Sequence, residues 1–270
     1  MKILFVCKAA TEIGLGHLIR SRTLAEVASK EHEVSFIVIG SEIVRKLLAG
    51  LSTPIKIIPT EDELLNNINE NYDIVILDMM CLEERWVLYI KDKSHLCVSI
   101  SPIFNQMDKM DMMFSRTKYS YHAYNLTNVK QYLGLEYSII QKDCVRIKAN
   151  PFSYALNQQK MPVAVSMGGG DAANKTRMFL QSLKRCKVPA TFWVLVGEGY
   201  NHSYDSLINA IERDLNHEII LAKTNMSMWH ILRNCVLAIL PGGVTTYEAA
   251  YAGLPTINMF ESEDQFFLIR

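Results

Sequence analysis

The feature that most constrains the fold is a regular alternation of short apolar runs with amphipathic stretches. The run Ile74–Leu77 is an unbroken series of Ile, Val and Leu, which is typical of a strand covered on both faces. Short strands that alternate with helices predict βαβ units and parallel sheets. The predicted strands are Ile3–Val6, Val34–Ile39, Ile55–Ile58, Ile74–Leu77, Leu96–Ile100, Val163–Ser166, Thr191–Val196, Ile219–Leu221, Val236–Leu240 and Thr256–Asn258.

Helical patterns fill the intervals between these strands, except over residues 101–160, where the alternation stops. We therefore predict an α/β protein with two doubly wound lobes. The N-terminal lobe covers residues 1–150 and the C-terminal lobe residues 151–270. In such folds ligands bind beyond the carboxyl ends of the strands. The predicted helices are His17–Ser29, Ser41–Ala49, Glu61–Ile68, Glu83–Ile90, Asn174–Arg185, Asp205–Leu215, Met226–Asn234 and Thr245–Ala252.

Charge and composition exclude several classes of function. Lys and Arg total 28, as do Asp and Glu, so the formal net charge is zero and a general electrostatic footprint for nucleic acid is absent. No apolar run approaches the roughly 18 residues of a membrane span, and the N-terminal apolar run is too short for a signal peptide. The six cysteines form no metal-binding pattern. We expect a cytoplasmic protein without stable membrane insertion, metal or cofactor.

The first of three glycine-containing turns, Thr11-Glu-Ile-Gly14-Leu-Gly16-His17, follows the first predicted strand and begins the first helix. Its glycines allow the backbone to approach a ligand closely, and the N–H groups of a helix start favour an anion. His17 stands near the positive end of the helix dipole, which favours the neutral imidazole that a general base requires. A tight turn with a surface histidine is the alternative interpretation.

The second turn, Ser166-Met-Gly168-Gly169-Gly170-Asp171, also joins a strand to a helix. Three consecutive glycines cost backbone entropy, and a phosphate or sugar lying against the peptide is one reason to keep them. Asp171 or Asn174 is expected to cap the following helix. A loop that needs left-handed dihedral angles is the structural alternative.

The third turn, Pro241-Gly-Gly243-Val-Thr245-Thr246-Tyr-Glu248, precedes the last predicted helix. A helix N-terminus with two threonine hydroxyls is suited to a diphosphate. Glu248 lies one turn inside, where its carboxylate can accept both hydroxyls of a ribose. It also fits a capping box with Thr245, which is the structural alternative.

The segments Glu12–Arg20, Met167–Asp171 and Gly242–Ala249 together resemble the UDP-sugar hydrolases of pseudaminic acid biosynthesis. These enzymes belong with the GT-B glycosyltransferases, close to the UDP-GlcNAc transferase of peptidoglycan lipid synthesis. The resemblance implies a GT-B-like α/β fold, with two Rossmann-like, doubly wound lobes and an intervening cleft. It also implies attack of water at the anomeric carbon of a UDP-linked diacetamido sugar, with His17 as the catalytic group. It implies nucleotide binding by Gly168, Gly169, Gly170, Asp171, Gly243, Thr245, Thr246 and Glu248. Substrate contacts are expected from Gly14, Gly16, Arg20, Asp78, Asp264 and Gln265.

Two departures from the family pattern affect the sugar side. Family members commonly carry Arg-x-Asp at the end of the first strand, where this chain has Val6-Cys7-Lys8. After the fourth strand the family favours Asp-His-Tyr, whereas this chain has Asp78-Met79-Met80, and a methionine side chain cannot relay a proton. The UDP half of the resemblance is therefore the stronger half.

Three functions follow from these observations. The first is a hydrolase that releases UDP and free sugar for surface polysaccharide or nonulosonic acid biosynthesis. The second is a GT-B glycosyltransferase, in which His17 or another base activates an acceptor hydroxyl, and a changed sugar pocket fits this alternative. The third is a non-catalytic nucleotide-sugar binder, which the presence of His17 disfavours.

Overall fold

The chain divides into two compact units in a computed structural model that describes residues 1–10, 14–117, 124–147, 160–212, 216–224 and 228–260. The first unit comprises Met1–Ala10 and His17–Ile139, and the second begins at Ile140 and also includes residues 14–16 of the first turn. The sequence places this boundary at residue 150.

The first unit is built on a parallel sheet of seven strands in the order β3-β2-β1-β4-β5-β6-β7. Its core combines the apolar strand residues with buried side chains of the covering helices, including Leu64 and Val87. The strands are β1 (Lys2–Ala9), β2 (Glu33–Gly40), β3 (Ile55–Ile58), β4 (Tyr72–Asp78), β5 (Ser94–Ser99), β6 (Met112–Ser115) and β7 (Lys130–Leu133).

Three α-helices are described in this unit: α1 (Gly16–Ala28), α2 (Leu64–Asn67) and α3 (Glu84–Asp92). Single 3-10 segments cover Glu42–Leu48, Glu61–Glu63, Met107–Lys109 and Leu135–Tyr137. The helix predicted over Ser41–Ala49 is thus a 3-10 segment in the structure. Strands β6 and β7 lie where the sequence pattern showed no strand, because each is only four residues long.

The second unit repeats this arrangement on a smaller scale. Its sheet is parallel and has five strands in the order β10-β9-β8-β11-β12. The strands are β8 (Met161–Ser166), β9 (Ala190–Gly197), β10 (Glu218–Thr224), β11 (Leu237–Leu240) and β12 (Thr256–Asn258). The helices are α4 (Lys175–Ser182), α5 (Tyr204–Ile211), α6 (Trp229–Leu232) and α7 (Val244–Ala252), with a 3-10 turn at Leu183–Arg185.

In both sheets the chain forms an inner strand first, adds strands toward one edge, and then returns to add the remaining strands toward the other edge. This order creates a switch point between β1 and β4 in the first unit, and between β8 and β11 in the second. Ligands of doubly wound sheets bind at such points, beyond the carboxyl ends of the strands. The three glycine turns follow β1, β8 and β11, so each comes from a strand that flanks a switch point.

No helix in the described part of the chain combines the length and apolar character that a membrane crossing requires.

Candidate active site

The carboxylate of Asp78 is the centre of a buried polar cluster in the first unit. Asp78 ends β4, and its backbone lies opposite Cys7 of the neighbouring strand β1. Because α1 begins directly after the turn that follows β1, its first residues reach the end of β4. This topology brings His17 and Arg20 to an aspartate some sixty positions away in the sequence.

Asp78 is completely buried and accepts hydrogen bonds from four side chains. Nδ1 of His17 lies 2.7 Å from Oδ1, and the Arg20 guanidinium reaches both carboxylate oxygens, at 2.5 and 3.0 Å. The hydroxyl of Ser101 donates to Oδ1 at 2.7 Å, and that of Ser21 to Oδ2 at 3.3 Å. The cluster therefore holds the carboxylate in one orientation.

The ionisation of Asp78 follows from these partners. Burial alone raises the pKa of a carboxyl group, but the positive charge of Arg20 and the hydrogen bonds from His17 and Arg20 outweigh burial here. The pKa of Asp78 consequently lies well below its ordinary value, and the group is a carboxylate at neutral pH.

The tautomer of His17 follows in turn. A carboxylate can only accept, so the short contact to Asp78 requires a proton on Nδ1 of His17. Nη2 of Arg20 lies 3.0 Å from the same nitrogen, but both atoms then carry hydrogen and form no hydrogen bond with each other. Nε2 of the neutral ring keeps its lone pair, which is the form that accepts a proton from a nucleophile.

The first turn has the backbone that its glycines allow. Gly14 has φ of +87°, a left-handed conformation that favours glycine, and Gly16 is the first residue of α1. His17 is the second residue of that helix, as the sequence predicts, and its side chain is 14% exposed.

The second turn is explained in part by packing. Gly168 has φ of +87°. A Cβ on Gly169 would lie 2.8 Å from Cδ1 of Leu15, and one on Gly197 would lie 2.5 Å from the carbonyl oxygen of Gly169. The left-handed backbone therefore explains the glycine at 168, and close packing explains the glycines at 169 and, at the end of β9, at 197. Gly170 is buried in the same turn.

Asp171 caps the helix that follows this turn. Its Oδ1 accepts the backbone N–H of Lys175 at 2.7 Å, and its Oδ2 accepts that of Thr176 at 3.0 Å. The prediction that Asp171 or Asn174 caps α4 is thus confirmed for Asp171, while Asn174 makes no side-chain cap bond. The positive end of α4 is already neutralised by a carboxylate of the protein.

The third turn leaves its helix without such a cap. The N-cap of α7 is Gly243, which has no side chain to cap the helix, and no other side chain among the described residues accepts its first backbone N–H groups. Thr246 donates its hydroxyl to Oδ1 of Asn258 at 3.0 Å, and Thr245 is partly exposed. The two turns meet, because a Cβ on Gly168 would lie 3.6 Å from Cγ of Pro241. An uncapped helix start beside a glycine turn is suited to an anion.

Glu248 lies inside α7 and is only 1% exposed. Its Oε1 accepts the backbone N–H and the side-chain amide of Gln141, at 3.1 and 3.0 Å, and its Oε2 accepts the indole N–H of Trp229 at 3.2 Å. Burial raises the pKa of Glu248, and these hydrogen bonds partly offset the shift. The alternative of a capping box with Thr245 is wrong, because Gly243 is the N-cap and Glu248 bonds elsewhere.

Sequence analysis identified His17, Arg20 and Asp78, which the structure brings together, but it missed two partners of Asp78 and two partners of Glu248. Asp264 and Gln265 lie outside the described residues. No local pattern marked the missed residues, because each reaches its carboxylate through tertiary packing. They are Ser21, Ser101, Gln141 and Trp229.

No family model matches the chain. Among curated proteins it is similar to "Uncharacterized protein MJ1062" of Methanocaldococcus jannaschii, with 24% identity over 278 aligned positions. The alignment covers 98% of this chain and 57% of that protein, so the chain spans little more than half the length of its curated relative.

Solved structures with the same fold cover nearly the whole chain. MurG of Acinetobacter baumannii has a TM-score of 0.63 at 13% identity, over 98% of this chain and 81% of that chain. Anabaena HepE in complex with UDP-glucose has a TM-score of 0.59 at 14% identity, over 96% and 80%. UDP-GlcNAc 2-epimerase of Neisseria meningitidis, bound to UDP-GlcNAc, has a TM-score of 0.56 at 11% identity, over 98% and 85%. The predicted GT-B-like fold of two Rossmann-like units is confirmed.

Proposed function

We propose that the protein hydrolyses a UDP-linked acetamido sugar at its anomeric carbon, releasing free sugar and UDP for surface polysaccharide or nonulosonic acid biosynthesis. The observation that carries this proposal is the 2.7 Å contact between Nδ1 of His17 and Asp78, which leaves Nε2 as a base. Support also comes from fold neighbours whose structures hold UDP-glucose or UDP-GlcNAc.

In the proposed reaction, Nε2 of His17 takes a proton from a water molecule as the water oxygen forms a bond to the anomeric carbon. The bond between that carbon and the phosphate oxygen breaks, and UDP leaves with the bonding electron pair. Asp78 keeps the proton on Nδ1 and stabilises the imidazolium that forms. General-base catalysis of this kind contributes about 10²- to 10⁴-fold to a rate.

We assign the UDP moiety to the second unit. The uncapped start of α7, with Gly243, Thr245 and Thr246, would hold the diphosphate. The glycine turn at residues 168–170, with Asp171, would lie against the nucleotide. Glu248 would accept the ribose hydroxyls on Oε1, where they replace the two donors of Gln141.

A glycosyltransferase is the second candidate, and one cavity favours it. The cavity, of about 380 Å³, lies beyond the carboxyl ends of β1 to β4 in the first unit. Lys8 and Glu61, which form a 2.7 Å ion pair, line it together with Thr60 and Asn105. Such a mixture of donors and acceptors suits a hydroxyl-rich acceptor. In this reaction His17 would deprotonate an acceptor hydroxyl instead of water.

Phosphorus NMR separates these candidates. Wild type, His17→Ala and His95→Ala are each incubated with UDP-linked acetamido sugars and no acceptor, His95 being an exposed histidine outside the cluster. We expect continuing UDP release by wild type and His95→Ala, and release slowed by about 10²- to 10⁴-fold in His17→Ala. UDP-sugar binding without release would support the transferase, and no binding would reject both enzymes.

A further inference from the structure

The second unit carries a groove that shares no residue with the turns assigned to UDP. It lies along α4, the 3-10 turn Leu183–Arg185 and α5, and it encloses about 680 Å³. Three cationic side chains line it: Arg177, Lys184 and Arg185. A concave surface of this size can receive a small molecule or the headgroup of a lipid.

The positive charge of this groove is not balanced locally. None of its lining residues is acidic, and among the described residues none of the three cations forms an ion pair. Lys184 and Arg185 follow the C-terminal end of α4, where the helix dipole favours cations. Arg177 lies in the first turn of that helix, where the dipole offers a cation no favourable interaction and the Asp171 carboxylate already caps the backbone. The helix dipole therefore accounts for two of the charges but not for the third.

Apolar surface accompanies these charges. Met178 lines the groove and is 59% exposed. The amides of Gln181 and Asn209 add hydrogen-bond donors to the lining. Cations, amide donors and an exposed apolar side chain together match a phosphate group attached to an acyl chain better than they match a free phosphate.

We propose that this groove binds the phosphate headgroups of anionic phospholipids and so attaches the second unit to a membrane surface. The chain has a formal net charge of zero, so the attraction comes from this local patch. Attachment through a surface groove requires no membrane-spanning helix. The proposal is independent of the enzymatic function, and its test uses no sugar nucleotide.

Cosedimentation with vesicles tests the proposal. Wild type is compared on phosphatidylcholine vesicles with and without phosphatidylglycerol, beside the triple variant R177Q/K184Q/R185Q. A control triple variant, K30Q/K46Q/K160Q, removes the same charge from exposed lysines outside the groove. We expect binding only to vesicles with phosphatidylglycerol, weakened on the order of 100-fold in the groove variant and little changed in the control.

Three results would overturn the proposal. The first is that wild type does not bind phosphatidylglycerol vesicles, and the second is that the two triple variants lose equal vesicle affinity. The third is that the groove binds inorganic pyrophosphate while the protein does not bind vesicles. Met178→Ser separates lipid from free phosphate, since it should weaken vesicle binding and leave any pyrophosphate binding unchanged. Circular dichroism of each variant checks that these surface substitutions leave the fold intact.

Discussion

Nδ1 of His17 lies 2.7 Å from Oδ1 of Asp78, and this contact fixes which ring nitrogen is available as a base. We expect His17→Ala to lower turnover by about 10²- to 10⁴-fold, because it removes the proposed general base. UDP affinity should stay within a few-fold of wild type, since the nucleotide is assigned to the other unit. Steady-state kinetics and UDP titration by calorimetry measure the two effects. Near-normal turnover in this variant would contradict the catalytic assignment.

Asp78→Asn should destabilise the first unit strongly, because the buried guanidinium of Arg20 loses its ionic partner. Breaking a buried ion pair in this way costs about 3–5 kcal/mol. Urea denaturation at neutral pH measures the loss. A change in unfolding free energy below about 1 kcal/mol, the range of exposed ion pairs, would show that the pair is not buried as described.

The ion pair of Asp78 with Arg20 also predicts that the free energy of unfolding depends on pH. The pKa of Asp78 is depressed in the folded protein, so its stabilising effect is present above the unfolded pKa near 4 and is lost as pH falls toward the folded value. The difference in unfolding free energy between wild type and Asp78→Asn should therefore narrow below about pH 4. Urea titrations at several acidic pH values test this, and a constant difference would argue against a depressed pKa.

Two serines near this carboxylate offer a matched comparison. Ser101 donates to Asp78, whereas the buried hydroxyl of Ser99 has no partner among the described residues. Ser101→Ala should cost about 1 kcal/mol, and Ser99→Ala should be neutral or slightly stabilising. Thermal or urea unfolding distinguishes the two. Equal effects would mean that the Ser101 hydrogen bond contributes nothing measurable.

Glu248 is expected to affect both stability and nucleotide binding. Glu248→Ala leaves the buried indole N–H of Trp229 without an acceptor, at a cost of about 1–3 kcal/mol, and it also removes the acceptor of the partly exposed Gln141. If the ribose hydroxyls replace the Gln141 donors on Oε1 when UDP binds, UDP affinity should fall in this variant while the affinity for free pyrophosphate is unchanged. Unchanged UDP affinity in a folded variant would remove Glu248 from the ribose site.

Much of the fold was predictable because apolar periodicity is a local property. The strands that flank each switch point, β1, β4, β8 and β11, are strongly apolar and were all identified from the sequence. Strands β6 and β7 were not, since Met-Met-Phe-Ser and Lys-Gln-Tyr-Leu are too short to show a distinctive period. Their place at the edge of the sheet comes from the pairing of β6 with β5 and of β7 with β6, which is a tertiary effect.

The candidate site was likewise predictable only where its residues belong to a local sequence pattern. A histidine after a glycine turn and an aspartate at a strand end are visible in the sequence, and the order of strands brings them together. The bond from Gln141 to Glu248 spans 107 positions, and no spacing rule connects residues so far apart. The role of Gly169 is also tertiary, because it depends on where Leu15 packs.

The most direct test of the central claim is hydrolysis in water enriched in oxygen-18, using wild-type protein and a UDP-linked acetamido sugar. Attack at the anomeric carbon places the label in the released sugar and none in UDP, as read by mass spectrometry and by the phosphorus NMR isotope shift. We predict this outcome, with label transfer that depends on His17. Label in the phosphate of UDP would show cleavage at phosphorus and contradict the proposed mechanism.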